Sequence, residues 1–169
     1  NKYLNNIQNK NTLLTIKSGN SNFEETIKPV SVGSERALMY KRWVRTMERK
    51  TDSLSNGKLG YVHIQGMNDG SFRDVYENAL GKNLEKEGLV VDTRFNGGGW
   101  LHDDLNTFLS GEEYLKFAPQ GEVIKGGEPM TRWTKPSIVL MSEGNYSDAF
   151  IFPYVYKQNG IGKLVGMPV

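Results

Sequence analysis

The sequence predicts an α/β fold: a β-α-β core with a largely parallel sheet, preceded by a short all-β piece at the N-terminus. Three observations carry this. From Lys58 onward, short apolar strands alternate with segments of helical period. Two of those strands run directly into Gly-rich or Ser-rich junctions. Before that point the pattern is different, with β-rich segments around a polar turn.

Thr12-Leu-Leu-Thr-Ile16 and Phe23-Glu-Glu-Thr-Ile-Lys-Pro-Val30 flank Ser18-Gly-Asn-Ser-Asn22, which is turn chemistry, so 11–30 reads as a hairpin. Two strands alone are marginal in water and must pack on something further. Residues 34–50 have helical apolar spacing, and Ser53-Leu-Ser-Asn-Gly57 reads as a linker-like break. Leu59–Ile64 is a strand. Ser71–Glu87 is a helix with Phe72, Val75, Tyr76, Ala79, Leu80 and Leu84 on one face, and Leu89–Thr93 is a short buried strand. Leu101, Leu105, Phe108 and Leu109 repeat at helical spacing, with Asp103 and Asp104 suited to a first turn. Residues 112–135 look irregular. Ser137–Met141 is the next strand and Asp148–Asn159 the next helix, where Pro153 should impose a kink or a late start. Lys163–Gly166 closes the pattern.

Composition narrows the function classes. With 37% hydrophobic and 11% aromatic residues the chain can bury a core. It contains no cysteine, which excludes disulfides, thiolate metal ligands and a Cys nucleophile, and two histidines make a His-based metal site improbable. No stretch reaches the ~18 apolar residues of a membrane span. The N-terminus has neither Met nor a signal-peptide core, so it reads as cut from something larger and says nothing of compartment. Residues 1–58 carry 11 Lys/Arg against 5 Asp/Glu, including the run Lys41–Lys50 around Trp43. That run fits a solvated helix face over Trp43, Val44 and Met47 better than a nucleic-acid surface.

The chemistry-bearing candidates sit at two strand ends. Gly88-Leu-Val-Val-Asp-Thr-Arg-Phe runs into Asn96-Gly97-Gly98-Gly99. A dinucleotide cradle would need a third glycine where His102 stands, and no Gly-Lys-Ser/Thr follows, so both cofactor readings fail. Three glycines after a buried strand instead let the N–H groups of Gly97 and Gly98 face a substrate carbonyl. Ser147 lies in Ser142-Glu-Gly-Asn-Tyr-Ser-Asp-Ala-Phe, between a strand and a helix. A Ser-Asp pair there can be a plain N-cap. It can also be a nucleophile beside the free amide of Asp148 at the positive end of the helix dipole. His63 reads as a packed or edge strand residue and His102 as a surface or first-turn residue. Neither has an evident orienting carboxylate, and neither is assigned as a base.

Four blocks occur in order: Gly60-Tyr-Val-His-Ile, Gly88-Leu-Val-Val-Asp-Thr-Arg-Phe-Asn-Gly-Gly-Gly, Glu143-Gly-Asn-Tyr-Ser-Asp-Ala and Gly162-Lys-Leu-Val-Gly. They resemble the core of the tricorn-like branch of the C-terminal-processing (S41) serine peptidases. The resemblance implies a ClpP/crotonase-like α/β core over 34–169, with 1–33 the last strands of a PDZ-like domain. It implies Ser147 as nucleophile, and oxyanion donors from the Asp148 amide and a glycine amide within Gly97–Gly98. Substrates would be polypeptides or oligopeptides held as an added strand. No metal ion or organic cofactor is required, and no nucleic-acid partner is expected. The family's bases fall outside these 169 residues, so the chain alone is expected to be close to inactive. A catalytically silent peptide-binding scaffold and a crotonase-like thioester site are the rival readings. A homo-oligomer stays open, and many such relatives act at the bacterial cell envelope.

Overall fold

The computed structural model describes residues 4, 6–121, 123 and 126–168. It divides into two units, Asn1–Arg45 and Thr46–Val169. The first holds an antiparallel hairpin, β1 (Thr12–Ser18) with β2 (Ser21–Ile27), in full register from Thr12↔Ile27 to Ser18↔Ser21. Gly19 takes φ +60° at the first position of its two-residue turn, where a side chain would be strained. No hairpin residue is fully buried. Thr12, Leu14 and Ile16 are half-covered on one face, as alternation requires. Helix α1 (Val32–Leu54) starts earlier and ends later than the 34–50 spacing suggests, and so absorbs part of the expected linker. Asn56 and Gly57, both at positive φ, then reverse the chain. Trp43, Val44 and Met47 are half-buried on α1 while Lys41, Arg42, Arg45, Arg49 and Lys50 are exposed.

The second unit is built on four parallel strands in the order β3-β4-β7-β8: β3 (Leu59–His63), β4 (Gly88–Asp92), β7 (Ser137–Met141) and β8 (Lys163–Gly166). Helix α2 (Asp69–Leu80) connects β3 to β4, and α3 (His102–Leu109) follows β4. The small antiparallel pair β5 (Leu115–Lys116) and β6 (Gly127–Glu128) interrupts the region expected to be irregular, and α4 (Asp148–Gln158) connects β7 to β8. The core holds Val62, Leu89, Val91 and Val139 from the sheet and Ile64 just past β3. Val75, Ala79, Leu105, Phe108, Phe152 and Tyr156 join them from the helices, with Trp133 beside them. Burying such side chains contributes roughly 1.5–3 kcal/mol each. Helix α2 stops at Gly81, whose N–H reaches Glu77 O, and Leu84 is left 46% exposed instead of extending the apolar face.

Pro153 does not delay α4, which starts at Asp148 with the proline inside it. Its ring removes the N–H that would serve Ala149 O, and the Asn145 side-chain amide donates to that carbonyl at 3.2 Å instead. No helix among the described residues is long and apolar enough to cross a membrane.

Candidate active site

In a parallel sheet the chain leaves every strand at the same end, and loops from neighbouring strands start side by side. β4 and β7 are neighbours, with Asp92 opposite Leu140. Their outgoing loops, fifty residues apart in sequence, therefore begin together and are stitched along their length. The Asn145 amide donates to Thr93 Oγ1 at 2.9 Å, Phe95 N–H to Ser142 Oγ at 3.2 Å, and Tyr146 N–H to Asn96 O at 3.0 Å.

A third loop, after β3, is joined to the same cluster. Met67 N–H donates to Gly98 O at 3.0 Å and Trp100 N–H to Met67 O at 2.8 Å, a parallel bridge against Gly99. A Cβ on Gly99 would lie 2.0 Å from Met67 O, so the close approach needs glycine. Asn96, fully buried, connects all three loops. Its amide donates to Ile64 O at 2.9 Å, its carbonyl accepts from Tyr146, and its Oδ1 accepts from Gly98 N–H at 2.8 Å.

Ser147 sits at the head of α4 with φ 54° and ψ −125°, a backbone region nearly reserved for glycine. Its hydroxyl makes no capping hydrogen bond. The plain N-cap explanation therefore does not describe this serine. Gly98 lies directly against it: a Cβ there would fall 2.7 Å from Ser147 Cβ, 2.6 Å from Tyr146 O and 3.2 Å from Asp148 N. Ser147, the Asp148 amide and the triple-glycine bend thus occupy one place. Among the described residues, the N–H groups of Asp148 and Gly97 have no hydrogen-bond acceptor. The expectation for Gly98 changes, because its N–H is turned onto Asn96 Oδ1 and is not free. Gly97 is uncrowded, with nothing within 4 Å of an added Cβ.

The Asp148 side chain is 1% exposed. Its Oδ2 accepts from Leu101 N–H at 2.6 Å and His102 N–H at 3.1 Å, so it caps α3 from another helix. Its Oδ1 accepts from His102 Nδ1 at 2.5 Å. His102 does have an orienting carboxylate, one that sequence could not reveal because the partners are 46 positions apart. Asn96 was missed for the same reason.

Behind the glycine bend lies a buried ionic cluster. Asp92, with no exposed side-chain area, accepts from Tyr61 OH at 2.7 Å, from Arg94 Nε at 2.9 and 3.1 Å, and from an Arg94 terminal nitrogen at 2.6 Å. Burial alone would raise the Asp92 carboxyl, but the Arg94 and Tyr61 hydrogen bonds outweigh it and hold the group below its ordinary value. Burial and the Asp92 charge push the Tyr61 hydroxyl well up, keeping it a neutral donor. His63 packs beside this cluster, half-buried, and burial lowers its imidazole. Among the described residues no group of three or more His, Asp or Glu could hold a metal ion.

Residues 58–169 match the model of peptidase family S41. The chain belongs to that family, in its tricorn-like branch. It is 35% identical over 139 residues to a putative tricorn-like protease C-terminal subunit of Sulfurisphaera tokodaii, a match covering 78% of this chain and 15% of that protein. A tricorn protease homolog of Saccharolobus solfataricus is 32% identical over 135 residues, covering 78% and 12%. The crystal structure of the tricorn protease superposes with a TM-score of 0.80 at 25% identity, covering 96% of this chain and 16% of that one. The S41 chain thus spans 12–15% of the length of these two curated relatives. Its mixed α/β architecture with a parallel sheet is that of the tricorn fold.

Proposed function

We propose that this chain forms the nucleophile and oxyanion half of a serine peptidase site acting on polypeptides or oligopeptides. Ser147 Oγ attacks the peptide carbonyl carbon, and the developing oxyanion is received by the Asp148 and Gly97 amides. The C–N bond then breaks, the departing amine taking the proton that a general base has removed from Ser147 Oγ, and water hydrolyses the acyl-serine that remains. The observation that carries the reading is the strained, uncapped Ser147 pressed against Gly98 beside an unsatisfied helix N-terminal amide. Strain of about 1–3 kcal/mol persists at such a residue only where the surroundings enforce it. Bare glycine backbone at the site also suits main-chain pairing with an extended peptide. The β1–β2 hairpin is read as the end of a PDZ-like domain, with the catalytic core following from residue 34.

A serine hydroxyl needs a base, and no side chain among the described residues hydrogen-bonds Ser147 Oγ. We place the base in polypeptide beyond these 169 residues. The 169-residue chain alone should therefore be slower than the full-length protein by about 10⁴–10⁶-fold, the usual loss when one triad member is missing. Treating the full-length protein with a fluorophosphonate and mapping the adduct tests the assignment. Labelling is expected at Ser147 and abolished by Ser147→Ala. An adduct at any other serine rejects it. The lack of a base contact also favours a second reading, a silent peptide-binding scaffold. That reading predicts peptide binding with no adduct and no turnover in the full-length protein.

A further inference from the structure

We infer that His102 and the Asp148 carboxylate form a positioning pair that fixes the two oxyanion-donor amides relative to each other. The inference rests on the serine-peptidase reading above. The Asp148 backbone N–H is the proposed donor on the α4 side. Its peptide plane is held within the helix, because the Ser147 carbonyl accepts from Phe150 N–H at 2.8 Å and Ile151 N–H at 3.3 Å, so what needs fixing is the place of this helix end against α3 and the glycine bend. The Asp148 side chain fixes it. The carboxylate reaches across to α3 and is gripped by three donors, two on Oδ2 and one on Oδ1. Capping α3 needs only the two backbone donors on Oδ2. The third, the His102 ring, engages the other oxygen and stops the carboxylate turning about its own axis.

The far end of the clamp matters equally. Leu101 and His102 follow the glycine bend after a single intervening residue, Trp100, so holding them also holds the segment that presents Gly97. One carboxylate thereby connects both halves of the oxyanion site. The pair is shielded: Asp148 is buried, the His102 side chain is 19% exposed, and the Trp100 ring stands edge-on to the imidazole at 5.1 Å. Asn106 secures the base of the clamp by donating to His102 O at 2.7 Å. His102 acts here through Asp148 and not on substrate, since the Nδ1 atom is committed to the carboxylate and the ring makes no hydrogen bond to Ser147.

The test compares His102→Ala with His102→Asn in the full-length protein, because an Asn amide can replace the Nδ1 donor while lacking an imidazole. Three quantities are read: kcat and KM on a peptide substrate, and the rate of fluorophosphonate labelling at Ser147. His102→Ala should lower kcat and the labelling rate by about 10–100-fold with KM within twofold, as expected when donors are displaced by a fraction of an ångström. His102→Asn should recover both to within about threefold of wild type. Wild-type kcat in His102→Ala overturns the inference, as does a change in KM alone. A His102→Asn variant as slow as His102→Ala overturns it too, because the property lost is then the imidazole and not the Nδ1 donor. If wild-type protein is active yet Ser147 stays unlabelled, the serine reading falls first and takes this one with it.

Discussion

The two strand-to-helix junctions of the S41 chain solve opposite problems at one place. After β4 the chain sheds side chains: Gly97, Gly98 and Gly99 leave only backbone, and Gly98 and Gly99 take φ values of +92° and +142° that glycine adopts freely. After β7 the chain keeps one side chain and pays in conformation, holding Ser147 at φ 54°. The first junction is crowded at Gly98 and Gly99, where space selects the residue. The second is strained and, on the proposed peptidase reading, its residue is selected by chemistry. A crowded position of the first kind should lose stability on substitution, whereas the strained position of the second kind should gain it.

The largest effect on stability should come from the support behind the first junction. Arg94→Met leaves the Asp92 carboxyl buried with its guanidinium partner removed, which should cost about 2–4 kcal/mol in urea unfolding at pH 7. The sign of the pH dependence checks the cause. In wild type the Asp92 carboxyl lies below its ordinary 3.8, so its contribution is complete above that value and is lost only as pH falls through the depressed one. In Arg94→Met burial prevails and the carboxyl rises above its unfolded value. The deficit relative to wild type should then be smaller at pH 5 than at pH 7. A deficit identical at the two pH values would remove Asp92 from the explanation.

Next in size is Gly98→Ala, where the new methyl meets Tyr146 O and Ser147 Cβ at under 3 Å on a backbone with positive φ. We expect a loss of ~2–3 kcal/mol and a hundredfold or greater fall in fluorophosphonate labelling, since the methyl forces the two loops apart. Gly97→Ala, with open space around it, should change the melting transition by no more than ~0.5 kcal/mol. Equal losses at the two positions would contradict the crowding argument. The remaining effect has the opposite sign. Ser147→Gly relieves the strained φ and should stabilise the fold by about 1 kcal/mol while abolishing labelling. Destabilisation by that variant would mean Ser147 is not strained in the way its dihedrals indicate.

Much of this architecture was readable because it is local. The strands at Leu59, Gly88, Ser137 and Lys163, the helix at Ser71 and the two junctions follow from period and turn residues over windows of about ten positions. What escaped depends on partners far apart in sequence. Asp148 with His102, Asn96 with Ile64, and Asp92 with Tyr61 and Arg94 are brought together by strand order, which no window reports. Pro153 is the reverse case. Its local rule predicted a kink or a late start, but α4 begins at Asp148 and runs through it, and a side chain eight residues earlier serves the carbonyl that the proline ring leaves without a donor. Gly98 was singled out for its N–H, whereas its closeness to Ser147 is the property the structure gives it.

Asn96 ties the loops after β3, β4 and β7 through a single buried side chain and its own carbonyl. Amide protons in all three segments should consequently exchange with solvent in one concerted opening, because no loop can leave without breaking bonds held by the other two. A pocket wired this way is either assembled or lost, with little room for a half-competent intermediate.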